Sequence, residues 1–565
     1  MKRTGGQAII ESLIDQGVEV LFGYPGGAIM PTYDALYDAG DRIRHVLVRH
    51  EQGAAHAAEG YARATGRVGA CLVTSGPGAT NLITGLMDAL MDSTPIVCVC
   101  GQVRSAMLGS DAFQEADIIG LTLAATKWSY QITEAAEIPQ VIAKAFEIAR
   151  SGRPGPVLID VTRDAQAGLF ESQARADIQT AGSSRVAQAV TRRDFSGVGN
   201  AARLINDARR PFLLVGQGVL ISRAEDQVRA LAEKAGLPVA STLLGLSAFP
   251  TGHPLYVGML GMHGNYGPNM LTNEADVIIA VGMRFDDRVT GRLDAYARQA
   301  KIIHVEVDPA QVNRNVPADV ALIGDAAEAI EALLPQVDEK RHEAWLARFR
   351  AHDAEEHEQV ISGEVSPKSP QLCMGEVVDR ISTKTAGAAV IVSDVGQHQM
   401  LAARHYAFKA PLSHITSGGL GTMGFALPAA LGAKLGVPER EVIAIIGDGG
   451  FQMSMQELGT LMQERIPIKM VILNNGHLGM VRQWQELFFD ARYAEVSIQS
   501  PDFVGLCGSY GIAARSVDAH EDLDDAIDEM LAAPGPFLLE ARVGRTDNVF
   551  PIIPAGASVS EIRLS

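Results

Sequence analysis

The sequence is short of several features that would assign a protein to a structural class at once. Only five of its 565 residues are cysteines, so no disulfide framework is visible, and this fits a reducing compartment. No apolar run is long enough to span a bilayer. Positive charge is also scarce, since the net charge is −18. These absences argue against a disulfide scaffold, a membrane-spanning protein and a surface for nucleic acid.

Targeting features are equally scarce at the start of the chain. The first residues enter a helical pattern at once and contain neither a signal-peptide core nor an Arg/Ser-rich transit segment. We therefore expect a cytoplasmic protein. Cys98 and Cys100 lie in the apolar run Pro95–Cys100, where core positions are a better interpretation than a metal-binding pair.

Glycine and apolar residues, in contrast, are abundant. There are 57 glycines, and hydrophobic residues make up 47% of a chain long enough for about three domains. Strand, glycine-turn and helix patterns alternate in three blocks, which predicts an α/β fold of three doubly wound parallel (Rossmann-like) sheets. We place the domains at residues 1–170, 190–340 and 370–545, with a tail at 546–565 that is either a mobile lid or a docked arm.

The coarse element pattern supports this division. Strands are predicted at Arg44–Val48, Gly69–Thr74, Pro95–Cys100, Val157–Val161, Phe212–Val215, Val277–Val281, Ile302–Val307 and Ala388–Ser393. A charged helix is predicted around Lys340–Gln359. Polar linkers are predicted at Glu171–Arg193 and Ser362–Pro370.

The most informative stretch is the apolar run Val442–Gly447, which continues into Asp448, Gly449 and Gly450. A second apolar run ends on Asn474 and Asn475, 27 residues after Asp448. That is the length of one β-α-β unit, so Asp448 and Asn475 should emerge side by side at the ends of adjacent strands. Apolar residues at helical spacing between positions 451 and 462 predict the intervening helix.

One carboxylate and one amide oxygen suit Mg²⁺, and the glycine amides at a helix start suit a diphosphate. A plain glycine turn and an unrelated asparagine turn are the alternative. The spacing resembles the Gly-Asp-Gly…Asn-Asn motif of thiamin diphosphate (ThDP) enzymes, and we favour that interpretation.

The first block strengthens the resemblance. The segment Arg-His-Glu-Gln-Gly-Ala around Glu51 is similar to the family segment whose glutamate sits beside N1′ of the aminopyrimidine ring. The resemblance implies that Glu51 favours the imino tautomer, whose N4′ removes the C2 proton. It also implies that Pro77 and Asn81 line the pyrimidine pocket and that Gln114 lies on the substrate side. Taken alone, an isolated Glu is usually a surface charge.

The middle block contains Gly216-Gln217-Gly218, which is only half of a dinucleotide loop. Surface loops on a Rossmann-like sheet are the alternative, but the segments together resemble the FAD-binding domain of acetohydroxyacid (acetolactate) synthases. That resemblance implies a structural flavin lined by Arg153, Gly216, Gly218, Thr242, Leu243, Met262, His263, Gly282, Arg284, Asp286, Arg288, Val289, Glu306, Val307, Gly324 and Asp325. It assigns to Arg288 the grip on the carboxylate of a second 2-oxo acid.

The third block would hold the rest of ThDP. The resemblance assigns this role to Val395, Gly396, Gln397, His398, Gly421, Met423, Asp448, Gly449, Gly450, Asn475, Leu478, Gly479, Met480 and Val481. The Mg²⁺ ligands would be Asp448, Asn475 and the backbone carbonyl of His477, whose side-chain role stays open because the family often has an acidic residue there. Met423 would wedge the bent cofactor, and Trp484 would select an ethyl over a methyl side chain.

The resemblance implies an acetohydroxyacid synthase catalytic subunit of branched-chain amino-acid biosynthesis, with ThDP, Mg²⁺ and FAD as cofactors. Pyruvate would add to the ThDP ylide and lose CO₂, and the hydroxyethyl unit would attack pyruvate or 2-oxobutyrate. A homodimer or dimer of dimers is implied, in which Glu51 reaches the partner's ThDP, together with a separate regulatory small subunit. The alternatives are another ThDP enzyme, such as pyruvate oxidase or glyoxylate carboligase, and a non-catalytic nucleotide-binding protein.

Overall fold

The computed structural model describes residues 2–171 and 193–565 of the chain. These residues form three six-stranded sheets whose strand pairs are all parallel, and a short antiparallel pair of Lys2–Thr4 (β1) with Leu169–Glu171 (β8). The predicted α/β class with three doubly wound sheets is confirmed. Among the described residues, no helix has the length and apolar character needed to cross a membrane. The predicted linker Glu171–Arg193 lies almost entirely outside the described residues.

The first sheet has the strand order β3-β2-β4-β5-β7-β6. Its strands are Val20–Gly23 (β2), Arg44–Leu47 (β3), Gly69–Val73 (β4), Ile96–Gln102 (β5), Trp128–Ile132 (β6) and Val157–Thr162 (β7). The helices of this part are Gly5–Asp15, Met30–Ala39, Glu51–Thr65, Pro77–Thr80, Ile83–Met91, Ile118–Thr122, Ile138–Arg150 and Arg163–Ala167.

The middle sheet has the order β11-β10-β9-β12-β13-β14. Its strands are Pro211–Val215 (β9), Val239–Ser241 (β10), Tyr256–Met259 (β11), Val277–Val281 (β12), Lys301–Glu306 (β13) and Val320–Ile323 (β14). Its helices are Val198–Asp207, Gln217–Ile221, Glu225–Ala235, Tyr266–Thr272, Asp287–Thr290, Ala326–Leu333, Glu343–Glu356 and Ser362–Val365.

The third sheet has the order β16-β15-β17-β18-β20-β19. Its strands are Val390–Ser393 (β15), His414–Thr416 (β16), Val442–Gly447 (β17), Lys469–Asn474 (β18), Ala513–Val517 (β19) and Phe537–Arg542 (β20). Its helices are Met374–Lys384, Gln397–His405, Ala426–Gly436, Asp448–Gln452, Leu458–Glu464, Gly479–Phe488, Phe503–Ser509 and His520–Ala532.

Strand order fixes where each sheet can bind a ligand. When the strands of each sheet are numbered from one, the first and third sheets share the order 2-1-3-4-6-5, and the middle sheet has the order 3-2-1-4-5-6 of dinucleotide-binding domains. In the third sheet the order reverses between β15 and β17. Ligands of such folds bind beyond the carboxyl ends of the strands at this reversal. Here β15 ends at Ser393 and β17 ends at Gly447.

The predicted strands are confirmed, with ends within two residues of those expected. The strand β17 is fully buried, as its continuous apolar sequence indicates, and it pairs in parallel with β18, Gly447 opposite Leu473. Asp448 and Asn475 therefore follow neighbouring strands, as predicted. Cys98 and Cys100 are buried in β5 as core residues, and all five cysteines are free thiols.

The first and third sheets share one hydrophobic core. Helix Glu51–Thr65 crosses helix Ala426–Gly436 at backbone contact. A Cβ atom at Gly60 would lie 1.9 Å from the carbonyl oxygen of Ala429, and one at Gly432 would lie 1.8 Å from that of Ala57. The small residues of these two helices therefore allow their backbones to approach closely.

Two predicted elements differ from the structure. The helix expected between positions 451 and 462 is split into Asp448–Gln452, a 3-10 turn at Met455–Glu457, and Leu458–Glu464. Glu457 lies in the break because its buried carboxylate accepts hydrogen bonds from the Arg49 amide, 3.1 and 3.2 Å away.

The linker predicted at Ser362–Pro370 also begins too early, since Ser362–Val365 is helical and follows helix Glu343–Glu356 through an intervening helical turn. Glu364 in this segment contacts His405 Nε2 at 2.8 Å. This tertiary contact stabilises a helical turn that the polar sequence did not indicate.

The tail is a docked arm rather than a lid. Ile553 donates its amide to the Met262 carbonyl oxygen at 2.8 Å, and Ser558 forms a bridge with Gly291. Ile552 and Val559 are buried. The tail thus packs against the middle domain and, through residues 547–549, against the third domain.

Candidate active site

A single large cavity, about 990 Å³ in volume, joins the middle and third domains. It lies at the strand-order reversals of both sheets and is large enough for more than one cofactor-sized ligand. The predicted residues that line it are Arg153, Gly218, Thr242, Leu243, Met262, His263, Gly282, Arg284, Asp286, Arg288, Val289, Glu306, Val307, Gly324, Asp325, Val395, Gly396, Gln397, His398, Gly421, Met423, Asp448, Gly449, Gly450, Asn475, His477, Leu478, Gly479, Met480, Val481 and Trp484.

Asp448 begins the helix that follows β17, and its carboxylate lies at the floor of the cavity. The Ser500 hydroxyl donates to its Oδ2 atom at 2.9 Å. Burial raises the pKa of Asp448, and the Ser500 hydrogen bond opposes that rise. A carboxylate at a helix start beside two glycines matches the predicted site for Mg²⁺ and a diphosphate.

Asn475 supplies the second predicted oxygen. Its Oδ1 atom accepts from the His477 amide at 3.0 Å, and its Nδ2 atom donates to Gln397 Oε1 at 3.3 Å. The His477 imidazole turns back to the Asn475 carbonyl oxygen, 3.0 Å from Nδ1. The His477 side chain is therefore engaged with the backbone of the predicted ligand.

His398 lines the third-domain end of the cavity. A Cβ atom at Gly396 or at Gly447 would lie 2.8 Å from its Cε1 atom, so both glycines are needed to seat the ring. Burial lowers its pKa to about 3, which keeps the imidazole neutral. Its Nε2 atom is buried without a protein partner and lines the cavity, which fits a polar ligand there.

The glycine loop 417–424 forms another wall of this end. The Ser417 hydroxyl donates to Asp88 Oδ1 at 2.9 Å and accepts from the Gly421 and Thr422 amides. The Asp92 carboxylate accepts from the Gly418 and Gly419 amides at 2.8 and 2.7 Å. Carboxylates of the first domain therefore hold the loop that carries Met423.

Polar groups also line the middle-domain end. Burial raises the pKa of Glu306, at the end of β13, to about 7. Burial likewise lowers the pKa of His263 to about 3, and its Nδ1 atom is buried without a protein partner. The backbones of Gly218 and Gly282 touch, since a Cβ atom at Gly218 would lie 2.5 Å from Gly282 Cα. These features fit the predicted dinucleotide.

Arg288 and Trp484 face the cavity from opposite domains. Arg288 is more than half exposed, and its nearest acidic partner, Asp287, lies 3.8 Å away. Its guanidinium is thus available for an added carboxylate. Trp484 is 38% exposed and belongs to helix Gly479–Phe488, with Met480 and Val481 one turn before it.

The first-domain residues predicted for the pyrimidine and substrate sides of ThDP are not part of this cavity, although Arg153 of the same domain lines it. Glu51 begins helix Glu51–Thr65, and its Oε2 atom accepts from Asn81 Nδ2 at 2.9 Å. Gly78 lies close to the same carboxylate. Glu51, Pro77, Asn81 and Gln114 do not line the described cavity within one chain, and neither does Gly216, which packs against Gly282.

The sequence did not lead us to several residues that hydrogen-bond to the predicted site residues and their loops. Asp88 lies on helix Ile83–Met91 and Asp92 directly follows that helix, and their place among apolar neighbours is a signal that could have found them. Gln483 is fully buried and hydrogen-bonds to Gln397 at 3.0 Å. It carries no such signal, because the same helix contains other polar residues, such as Gln485 and Glu486, that are only partly buried.

Comparison with known families agrees with this architecture. Residues 3–121 match the N-terminal TPP binding domain of thiamine pyrophosphate enzymes, residues 198–333 match the central domain, and residues 394–541 match the C-terminal TPP binding domain. The three sheets and the cavity therefore define a thiamine pyrophosphate enzyme.

Relatives that match over nearly the whole chain indicate one family within the thiamine pyrophosphate enzymes. The chain is 45% identical to acetolactate synthase isozyme 2 large subunit of Escherichia coli over 559 residues, 99% of both chains. It is 44% identical to an acetolactate synthase of Mycobacterium bovis, over 99% of this chain and 91% of that one. A probable acetolactate synthase large subunit of Methanocaldococcus jannaschii is 42% identical, over 99% and 95%. The chain belongs to the acetolactate synthase family of thiamine pyrophosphate enzymes.

Proposed function

We propose that the protein is the catalytic subunit of an acetolactate synthase. Two molecules of pyruvate would give 2-acetolactate and CO₂, and pyruvate with 2-oxobutyrate would give 2-aceto-2-hydroxybutyrate and CO₂. The observation that carries the proposal is the one continuous cavity. It joins the Asp448–Asn475 edge to Arg288 and Trp484, so the proposed decarboxylation site and the proposed carboxylate-binding site would face the same space.

The residues fit three cofactors. Asp448, Asn475 and the His477 carbonyl would hold Mg²⁺, and the amides near Gly449 would bind the diphosphate. The middle-domain end, with Glu306 and its glycine contacts, would hold FAD. Bound ThDP would supply the electron sink for decarboxylation.

The chain's own groups would do the remaining work. The Glu51 carboxyl group would hold a proton at N1′ of the aminopyrimidine, with Gln114 and the Pro77–Asn81 turn nearby. Arg288 would bind the carboxylate of the second 2-oxo acid. Trp484 would shape the space for its methyl or ethyl group, and Met423 would press on the cofactor from below.

The assembly follows from the position of Glu51. Because Glu51 lies outside the cavity of its own chain, we propose that it serves the cofactor of a second copy in a homodimer or dimer of dimers. Exposed apolar residues that lie close to Gln114 in the sequence support this, since Phe113 is 88% exposed and Leu123 is 75% exposed. Relatives named as large subunits support a separate regulatory small subunit. We place the protein in the cytoplasm.

A steady-state assay tests the function. Pyruvate is supplied with ThDP, Mg²⁺ and FAD, each omitted in turn, while acetolactate and oxygen are measured. We expect acetolactate formation that depends on ThDP and Mg²⁺ and consumes no oxygen. Oxygen consumption with acetate or acetyl phosphate as product would instead identify a pyruvate oxidase, and condensation of glyoxylate alone would identify a glyoxylate carboligase.

A further inference from the structure

Three buried side-chain amides form a chain from the C-terminal tail to the predicted metal ligand. Gln483 pairs with the backbone of Val549, since Val549 N donates to Gln483 Oε1 and Gln483 Nε2 donates to Val549 O, both at 2.9 Å. Gln397 Nε2 donates to Gln483 Oε1 at 3.0 Å and to the Asp547 carbonyl oxygen at 2.9 Å. Gln397 Oε1 then accepts from Asn475 Nδ2 at 3.3 Å.

This chain has one direction. A side-chain amide can rotate to exchange its oxygen and nitrogen, whereas a backbone N–H and C=O cannot. Val549 therefore fixes which end of Gln483 is the oxygen. Because that oxygen and the Asp547 carbonyl both need a donor, the nitrogen of Gln397 must face them.

The last step reaches the metal ligand. Gln397 presents its oxygen to Asn475, so the Asn475 nitrogen faces Gln397 and the Asn475 oxygen faces the other way, where it accepts from the His477 amide at 3.0 Å. If the Asn475 amide were rotated by half a turn, its oxygen would face Gln397 Oε1 and its NH₂ group would face the His477 N–H. Two buried hydrogen bonds would be lost together, which is costly where water cannot replace them.

Local packing and burial favour this arrangement. A Cβ atom at Gly479 would lie 2.1 Å from Gln397 Oε1 and 2.7 Å from Asn475 Nδ2, so the first residue of helix Gly479–Phe488 leaves room for this hydrogen bond. Gln483 is fully buried, Gln397 is 3% exposed and Asn475 is 5% exposed. Solvent therefore does not compete for these amides.

We propose that Gln483 is a positioning residue which, through Gln397, holds the oxygen of Asn475 towards Mg²⁺, with the polarity set by the tail backbone at Asp547–Val549. The inference rests on the proposed function in one respect, the assignment of Asn475 as a metal ligand. It adds that the tail backbone takes part in building the proposed metal site, through its contacts with Gln397 and Gln483.

The test replaces the Gln483 nitrogen by oxygen. In Gln483→Glu, a carboxylate oxygen would face the Val549 carbonyl oxygen, and the repulsion between them would displace the side chain whose other oxygen accepts from Gln397. We expect the Mg²⁺ affinity, measured by calorimetry with saturating ThDP and no substrate, to fall by about 10–100-fold, the usual effect of removing a group that orients a metal ligand. Turnover should recover when Mg²⁺ is raised to saturation.

The chain supplies a matched control. Gln485 lies on the same helix and pairs in the same reciprocal way with a backbone, that of Ala494, at 3.1 and 3.0 Å, but it has no link to Asn475. Gln485→Glu should change the Mg²⁺ affinity less than twofold. Gln483→Met, uncharged and of similar size, serves as the second variant because a buried carboxylate can prevent folding. It should weaken Mg²⁺ binding while it retains the thermal midpoint of a folded protein.

Asp448→Asn separates the two claims. If Asp448→Asn loses Mg²⁺-dependent ThDP binding while both Gln483 variants keep the wild-type affinity, the positioning role is wrong and the metal site stands. If Asp448→Asn itself binds Mg²⁺ and ThDP as the wild type does, the metal site is wrong. A Gln483 defect that excess Mg²⁺ does not relieve would identify a purely structural role and would overturn the proposal.

Discussion

Glu51 stands at the junction of β3 and helix Glu51–Thr65, where Asn81 donates to one carboxylate oxygen. The other oxygen faces Gly78 at the start of a second helix. The carboxyl group is thus oriented by the first domain before any cofactor arrives. The role that we propose for it depends on a proton that an amide cannot share in the same way.

Glu51→Gln should therefore lower carboligation by about 10²–10⁴-fold, the range for loss of a general acid–base group. Calorimetric ThDP binding should change much less, since the diphosphate end is untouched. Acetolactate formation under saturating cofactors is the measurement. A variant with wild-type turnover would contradict the role of Glu51. If the wild type shows no carboligation and the variant binds nucleotide as the wild type does, a non-catalytic nucleotide-binding protein would be favoured instead.

Asp88 shows how burial tunes a carboxyl group at the seam between the first and third domains. Burial raises its pKa to about 8, and the nearby carboxylates of Glu59 and Asp92 add to this rise, whereas His56 opposes it. Its Oδ1 atom accepts from Ser417, which a neutral carboxyl group also permits. The folded protein therefore keeps a proton on Asp88 that the unfolded chain releases near its ordinary pKa of 3.8.

The sign of the pH dependence follows from this proton. Between about pH 4 and pH 8 the folded state binds the extra proton, so its stabilising contribution falls as pH rises, by at most about 1.4 kcal/mol per pH unit. Asp88→Asn, which mimics the neutral acid, should remove this slope. The measurement is the unfolding midpoint of each protein at pH 5 and at pH 8. If the difference between the two midpoints is the same in the variant as in the wild type, Asp88 does not hold the extra proton.

At the scale of elements, the tightest contact is the crossing of helices Glu51–Thr65 and Ala426–Gly436. Gly432→Ala would place a methyl group 1.8 Å from the Ala57 carbonyl oxygen. Because both partners are backbone in a shared core, neither can move alone, and we expect a loss of about 1–3 kcal/mol or more in the free energy of unfolding. Denaturant unfolding is the measurement.

The same substitution elsewhere gives the control. Gly508 lies in helix Phe503–Ser509 with nothing within 4 Å of an added Cβ atom. Gly508→Ala should be neutral or slightly stabilising, because alanine has the higher helix propensity. Equal effects of the two substitutions would show that the helix crossing is looser than its geometry indicates.

At the scale of the whole molecule, the two ends of the proposed ThDP site are separated within one chain. Asp448 lines the large cavity and Glu51 does not. If a second copy completes each site, chains with Glu51→Gln and chains with Asp448→Asn carry complementary defects. A mixed dimer would then hold one intact site and one doubly altered site.

Co-expression of the two inactive variants should therefore restore about a quarter of the wild-type activity, because half of the dimers are mixed and half of their sites are intact. Activity of the purified mixture is compared with that of each variant alone. The control is a chain that carries both Glu51→Gln and Asp448→Asn. Expressed alone, it should stay inactive. No recovery in verified mixed dimers would contradict a shared site.

Some features could be predicted from local sequence because they are local. The apolar run Val442–Gly447, the glycines after it and the spacing to Asn475 define a β-α-β unit whose geometry leaves few choices. The three-sheet class and the strands with continuous apolar sequence followed in the same way. The short or half-exposed strands, such as Val239–Ser241 and Trp128–Ile132, were not predicted because their patterns are weak.

Tertiary structure decided what depends on contacts between distant segments. The sequence by itself determined the strand ends that present Asp448 and Asn475, because burial and β-α-β length act along the chain. Only the fold decided that the tail docks, that Asp92 holds the glycine loop, and that Gln483 links Val549 to Asn475. These contacts join residues far apart in sequence, and hydrogen bonds between buried amides leave no periodic pattern from which they could be predicted.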